Sequence, residues 1–271
     1  MLQSLKNSVL SNAHAVAEAV MPVLQESRFA ETGVLTPGEF VLAGDNLVAK
    51  CPSWSWSAGD ADRSRAHLPR GKQFLVTRGV PCRLRANAAL VGEGAEEDAE
   101  GWVQTGAGGA GGEYADLEGG AEEDEYVDLE GYEEEGGVAD AAAFAGGLVL
   151  RTRTYDLSIT YDKYYQTPRM FLQGFDERGV PLTPEQIFQD ISQDYANKTA
   201  TIEAHPHLGT VPQCVSIHPC KHAQIMKKFI DKLSGGNGAD AKVDQAMFVF
   251  LKFMQGLVPT VDYDFTVEVN F

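Results

Sequence analysis

The chain has 271 residues, of which 44% are hydrophobic, and this length allows one large folded domain or two small ones. Its net charge of −17 resides in one segment, because residues 92–140 contain 18 Asp and Glu but no Lys or Arg, which leaves +1 for the rest of the chain. The composition argues against a basic surface for nucleic acid and, without a run of about 18 apolar residues, excludes a membrane-spanning helix. The lack of a basic-then-apolar start and of a regular cysteine framework predicts a cytosolic protein with free thiols.

The first element is an amphipathic helix, predicted over residues 2–24 from apolar residues at helical spacing. Its apolar face includes Leu2, Leu5, Val9, Val16 and Val20. This pattern is typical both of a surface helix packed on a core and of an interfacial membrane helix, and the spacing leaves both open. With Lys6 as its basic residue, membrane attachment would depend on exposed acyl surface more than on anionic lipid.

Residues 32–60 are rich in turn residues, and a strand-like run follows at residues 73–84. The segment 86–147 comes next and is glycine-rich and acidic, with 13 glycines in residues 92–140. Its few apolar residues cannot offset the conformational entropy lost on ordering, which predicts a long disordered acidic insertion.

The insertion contains a short repeat with an aromatic residue, two intervening residues and a leucine. Tyr114-Ala-Asp-Leu117 recurs as Tyr126-Val-Asp-Leu129, each with acidic flanks. The repeat suggests two short linear motifs, and an inert acidic linker is the alternative, because such short patterns arise easily.

From residue 148 the pattern becomes that of a folded sheet with helices. Alternating or apolar runs predict strands at residues 149–161, 168–175 and 199–203. Helical spacing predicts helices at residues 184–195, 221–233 and 243–257, the first with Thr183 as N-cap and Gln186 completing a capping box. Residues 204–219 are predicted to form a loop. The order of helix, strands and helices predicts an α+β fold.

The sequence Ser-Ile-His-Pro-Cys-Lys-His-Ala at residues 216–223 carries the best candidate for a reactive atom, the sulfur of Cys220. Cys220 follows a proline at the start of a predicted helix, so that its sulfur is expected near the positive end of the helix dipole. His218, Lys221 and His222 are its neighbours in sequence. Each of these features favours the thiolate, which is the nucleophilic form.

Three duller or different explanations of this cysteine remain open on the residues alone. A free cysteine is often a buried structural thiol. A cysteine hydrolase would need a histidine oriented by Asn or Asp, but no hydrolase signature surrounds this cysteine. A zinc site is suggested by residue type, although the spacings match no paired zinc motif. Its ligands would come from His205, His207, Cys214, His218, Cys220 and His222.

Residues 216–228 closely resemble the active-site motif of the autophagy ubiquitin-like-conjugating enzymes. The resemblance extends in the same order over nearly the whole chain outside the acidic insertion. The matching stretches are residues 33–41, 51–56, 72–78, 153–169, 190–195, 198–203 and 250–255.

The resemblance implies a ubiquitin-conjugating-type fold, in which an antiparallel sheet is flanked by helices. It implies that Cys220 carries a ubiquitin-like protein as a thioester and passes it to the amine of phosphatidylethanolamine, with no cofactor or metal. Thr199 matches a family threonine near the cysteine, where its hydroxyl could donate to the oxyanion, or it could simply be a β-branched strand residue. His218, Lys221 and His222 could support the site, or the two histidines could cap the loop and the helix.

The resemblance also implies partners and a division of the chain. Residues 1–24 would face the membrane, the insertion at 86–147 would engage the activating enzyme, and its tyrosine motifs would bind the ubiquitin-like protein. Residues 25–85 and 148–271 would be the two parts of the conjugating domain. The protein would be cytoplasmic and transiently at autophagic membranes. A non-catalytic adaptor that binds membrane and the ubiquitin-like protein is the alternative.

The chain departs from the family pattern after the catalytic helix. Many members carry there a long acidic insertion with an aromatic-x-x-leucine motif, whereas residues 234–244 of this chain contain no such motif. Either the repeated tyrosine motifs have taken over that contact or the protein manages without it.

Overall fold

The computed structural model describes residues 21–83, 85–86, 152–192, 199–211, 213–233 and 242–262. The membrane-facing residues predicted between positions 2 and 20 lie outside these ranges, as do nearly all of the acidic insertion and its two tyrosine motifs. None of the helices in the described ranges has the length and apolar character needed to cross a bilayer.

The described chain forms a six-stranded sheet in which every pair of neighbours is antiparallel. The strands are β1 (Ser55–Ser57), β2 (Phe74–Cys82), β3 (Arg153–Asp162), β4 (Thr167–Phe175), β5 (Ala200–Glu203) and β6 (Cys214–Ile217). Their order across the sheet is β1-β2-β3-β4-β6-β5, so the two short strands β6 and β5 lie beside the long hairpin of β3 and β4. The predicted α+β class is confirmed.

Five α-helices accompany the sheet in the described ranges. They are α1 (Phe29–Thr32), α2 (Pro37–Lys50), α3 (Pro184–Phe188), α4 (His222–Leu233) and α5 (Ala246–Leu257). Helices α2, α4 and α5 contact the sheet and contribute to one continuous hydrophobic core with it. Phe250 in α5 and Leu172 in β4 are both fully buried in this core.

Helix α2 was missed in the turn-rich region 32–60. Thr36 accepts a hydrogen bond from the backbone N–H of Glu39, and the Glu39 carboxylate accepts one from the backbone N–H of Thr36. Pro37 occupies the first helical position, where its missing N–H costs nothing. The helix then buries Phe40 and Leu47 against the core, which stabilises it beyond its local preferences.

Three predicted boundaries were wrong. Residues 21–24 are not helical, and Pro22 explains why, because proline removes a backbone donor and clashes with the preceding turn. The helix predicted to reach residue 195 ends at Phe188, since the next residues turn to bring Asp190 into the core. The loop predicted at 204–219 contains β6, a run of four buried residues too short to be recognised from alternation.

A buried ion network lies at the edge of this core. The Asp190 carboxylate accepts hydrogen bonds from the Arg153 guanidinium at 2.9 Å and the Tyr155 hydroxyl at 2.5 Å, and the Arg85 guanidinium is 3.5 Å away. Arg85 precedes the predicted insertion and Arg153 follows it. The contacts to Asp190 therefore hold the two ends of that segment close together.

Candidate active site

Cys220 differs from the other cysteines by its exposure to solvent. Cys51, Cys82 and Cys214 are buried, and Cys220 is exposed. Burial raises the pKa of the Cys82 thiol to about 11 and that of the Cys214 thiol to about 12, so both stay protonated near neutral pH. Cys220 is therefore accessible to a reactant, and the interpretation of it as a buried structural thiol was wrong.

The sulfur of Cys220 lies in a short 3₁₀ turn, Pro219–Lys221, which joins β6 to α4. The prediction had placed it at the first position or cap of the α-helix, and the α-helical part begins two residues later, at His222. The turn starts where the buried strand ends, which presents the thiol at the end of the sheet.

His218 shapes the backbone of this turn. Its Nδ1 atom accepts a hydrogen bond from the backbone N–H of Cys220 at 3.3 Å, so His218 acts as the N-cap of the turn. The edge of its ring meets the ring of Tyr165, with the ring centroids 5.4 Å apart. The histidine is thus fixed between the cysteine backbone and a tyrosine of the β3–β4 hairpin.

His222 has a different environment, although it is only two residues from the cysteine. It is buried, its Nδ1 lies 2.9 Å from the carbonyl oxygen of Pro168, and its ring packs against Phe250 and Phe253. Burial lowers the pKa of His222 to about 4, so the imidazole is neutral near pH 7. The structure places this side chain in the core between α4, α5 and β4, whereas Lys221 is exposed.

Thr199 is brought to the site by the pairing of β5 with β6. Its carbonyl oxygen accepts a hydrogen bond from the backbone N–H of His218 at 2.7 Å, which continues the ladder beyond the Ala200 and Ile217 pair. Thr199 is half-buried and lies across the ladder from His218, two residues before Cys220.

The remaining members of the possible zinc site are held elsewhere. The His205 ring lies 2.9 Å from the Ser158 hydroxyl, and the ring of His207 stacks on Phe74. The Cys214 thiol donates to the Glu203 carbonyl oxygen at 3.2 Å. Within the described ranges, no three His, Cys, Asp or Glu side chains are grouped to hold a metal ion.

The sequence reasoning missed Tyr165, which lies in the turn between β3 and β4. Its pKa is raised to about 12, chiefly by burial of the hydroxyl and next by the neighbouring charge of Cys220. The signal was available, because Tyr165 lies within the stretch 153–169 that resembles the conjugating enzymes, but alternation alone presents it as an ordinary hairpin residue.

A buried arginine ties the strands together beneath the site. The Arg169 guanidinium in β4 donates to the Ser216 hydroxyl at 2.9 Å and pairs with Asp162 and Glu203. These partners lie on β6, β3 and β5, so one side chain links four strands. The arrangement fixes the hairpin turn and the cysteine turn relative to each other.

An antiparallel sheet flanked by helices, with an exposed cysteine in the turn that leads from the sheet into a helix, defines the class of E2-like conjugating enzymes. The family model described as "Autophagocytosis associated protein, active-site domain" matches residues 39–265. This chain belongs to the Autophagy-related protein 3 family, and it has a role in the conjugation reactions of autophagy.

Several relatives support this assignment over most of their length. The Autophagy-related protein 3 of Arabidopsis thaliana is 44% identical, over 90% of this chain and 90% of the relative. The protein of the same name from Dictyostelium discoideum is 39% identical over 100% of both chains. That of Saccharomyces cerevisiae strain S288c is 36% identical, over 93% of this chain and 96% of the relative.

Proposed function

We propose that this protein is a cysteine acyltransferase that carries an autophagy ubiquitin-like protein as a thioester on Cys220 and transfers it to the amine of phosphatidylethanolamine. The observation that carries the proposal is the contrast among the thiols: Cys220 is exposed in a turn at the end of the sheet, and the other three cysteines are buried. A thiol that must meet two large partners in succession needs this exposure.

The proposed reaction has two steps, both balanced by thiolate exchange. The Cys220 thiolate attacks the thioester carbonyl by which an activating enzyme holds the ubiquitin-like protein; a new C–S bond forms and the thiolate of the activating enzyme leaves. The lipid amine then attacks the carbonyl, the C–N bond forms, the Cys220 thiolate leaves and the amine loses a proton to water. Neither step needs a cofactor.

Thr199 is our candidate for stabilising the oxyanion in these steps. Its main-chain bond to His218 keeps it beside the cysteine turn, and a hydroxyl there can donate to the negative charge that develops on the carbonyl oxygen. His218 contributes through the turn that it caps, and the exposed Lys221 through its positive charge.

The parts of the chain outside the described residues complete the proposal. The apolar face of the N-terminal helix, with Leu5 and Val16, would bring the enzyme to a bilayer surface. The acidic insertion would engage the activating enzyme, and the motifs beginning at Tyr114 and Tyr126 would bind the ubiquitin-like protein by adding a strand. We expect a cytoplasmic protein that visits autophagic membranes.

The test is to trap the acyl group on residue 220. The Cys220→Ser variant, incubated with activating enzyme, ATP and the ubiquitin-like protein, should form an oxyester that resists thiol reductants and is cleaved by hydroxylamine. The wild type should form an adduct that reductants cleave. The buried-thiol variant Cys51→Ser is the matched control and should retain the wild-type adduct. No adduct on wild type or on Cys220→Ser would contradict the proposal and favour the adaptor.

A further inference from the structure

The β3–β4 hairpin ends in a four-residue turn, Lys163 to Gln166, that lies against the cysteine turn. The hairpin itself is long and regular, with Asp162 opposite Thr167 as its last pair. A plain hairpin needs no aromatic residue at its tip, yet this turn carries Tyr164 and Tyr165 in succession.

The backbone of this turn is held in one conformation. The Asp162 carboxylate accepts hydrogen bonds from the backbone N–H groups of Tyr164 and Tyr165, both at 3.0 Å. Gln166 adopts the left-handed region with φ of 57°, and its carbonyl oxygen accepts a bond from the backbone N–H of Leu35 at 2.8 Å. A non-glycine residue in that region is strained and persists only where its surroundings fix it, as they often do at functional sites.

The two tyrosines have different surroundings in spite of their adjacency. Tyr164 is exposed, with 39% of its surface accessible, whereas Tyr165 is half-buried. The Tyr165 ring lies edge-on between Tyr164, at 4.8 Å, and His218, at 5.4 Å between ring centroids. Because His218 also binds the backbone of Cys220, the Tyr165 ring is positioned relative to the cysteine and not merely to the hairpin.

We propose that the hydroxyl of Tyr165 is a catalytic hydrogen-bond donor to the sulfur of Cys220. It stabilises the thiolate of the free enzyme and the same thiolate as it leaves in the transfer step. This inference rests on the proposed function in that it assigns a role within the same site, and its first measurement needs no partner protein.

The electrostatics of the turn agree with this role. The Tyr165 pKa of about 12 results first from burial, then from the charges of Cys220, Tyr164 and Asp162, and is opposed by Arg169. The phenol therefore keeps its proton at every pH at which a thiolate is useful, and it remains a donor. His218 and Lys221 are the titratable neighbours on the cysteine turn, and the buried His222 is neutral near pH 7.

The hydrogen bond would act differentially along the reaction. A thioester sulfur is a weak acceptor and a thiolate is a strong one, so the bond is weak in the loaded enzyme and strengthens as charge develops on the leaving sulfur. The phenol donates without giving up its proton, so no proton has to be returned.

The test is the pH dependence of Cys220 alkylation by iodoacetamide in the full-length protein. Native alkylation reports on Cys220 because the other three cysteines are buried, and Cys220→Ser provides the blank. Tyr165→Phe keeps the ring against His218 and removes only the hydroxyl. We expect its midpoint to rise by roughly half a unit to one unit, with alkylation about three- to tenfold slower below the midpoint.

Tyr164→Phe is the matched control, since it makes the same chemical change one residue away at an exposed position, and its midpoint should equal that of the wild type. An equal midpoint for Tyr165→Phe would overturn the inference. If the wild type forms no thioester, the proposed function fails instead. Thioester formation and a shifted midpoint together support both, and slower lipid transfer by Tyr165→Phe at equal thioester loading would extend the role to the leaving thiolate.

Discussion

The chemistry of Cys220 is set by three neighbours that arrive from different parts of the chain. His218 comes from the end of β6, Tyr165 from the β3–β4 turn, and Thr199 from the start of β5. The contacts to His218 are through the Cys220 and Thr199 backbones and the Tyr165 ring, so His218 is the residue on which the geometry converges.

Thr199 gives the sharpest prediction at this scale. Thr199→Val keeps the β-branched shape and the main-chain bond to His218 but loses the hydroxyl, whereas Thr199→Ser keeps the hydroxyl. We expect the valine variant to lose about 10- to 100-fold in the rate of lipid transfer, as for removal of one oxyanion donor, and the serine variant to stay near wild type. Single-turnover transfer from preformed thioester measures this directly. Equal rates for valine and wild type would reduce Thr199 to a strand residue.

The sequence identified Cys220 and its surroundings only in part. The order His-Pro-Cys-Lys-His indicated two imidazoles near the sulfur, yet the change from a 3₁₀ turn to an α-helix at residue 222 sends the second ring into the core. Side-chain direction at such a transition depends on packing against Phe250 and Phe253, residues distant in sequence. Tyr165 could not be derived from spacing for the same reason.

At the scale of elements, the contacts to Asp190 connect α3 to the two chain segments that flank the acidic insertion. Asp190 is fully buried, and its partners Arg85 and Arg153 are almost so. A buried carboxylate of this kind is tolerated because two guanidinium groups and a hydroxyl satisfy it. The segment after α3 is therefore fixed by ionic contacts more than by helix propensity.

Asp190→Asn should be strongly destabilising. It is nearly isosteric but leaves two buried arginines without their carboxylate, which costs about 3–5 kcal/mol in comparable buried pairs. Asp45→Asn is the matched control, since Asp45 pairs with Lys72 at 2.6 Å near the surface and its loss should cost less than about 1 kcal/mol. Urea unfolding at pH 7.5 gives both values, and similar costs for the two variants would contradict the assigned role.

The two capping boxes show what local sequence can predict. Thr36-Pro-Gly-Glu and Thr183-Pro-Glu-Gln have the same pattern, and both begin helices in the structure. The second was recognised and the first was taken as turn punctuation because of its glycine. Helix starts were thus readable at both places, whereas the end of α3 was not, because it depends on ionic partners far along the chain.

At the scale of the whole molecule, the order of strands and helices was sufficient to predict the α+β class, because long alternating runs mark β3 and β4 clearly. Short strands such as β5 and β6 are stabilised by their neighbours in the sheet. The consequence is a sheet whose catalytic end is assembled late in the chain, from residues 199–222, on a hairpin formed earlier.

Three buried histidines make the stability of the whole fold depend on pH. Burial lowers the pKa of His205 to about 3 and those of His207 and His222 to about 4, against an ordinary value of 6.5. The unfolded chain therefore binds more protons than the native one between pH 6.5 and about 4, so stability is full above 6.5 and falls as pH drops through this window.

We expect a loss of about 1.4 kcal/mol per histidine between pH 7.5 and 5.5, measured as urea unfolding free energy, in a range where ordinary carboxylates do not titrate. His222→Asn keeps a donor for the Pro168 carbonyl and removes one titrating ring, so its loss over the same interval should be smaller by that amount. Equal pH dependence in variant and wild type would mean that the His222 ring accepts a proton in place and does not oppose protonation of the fold.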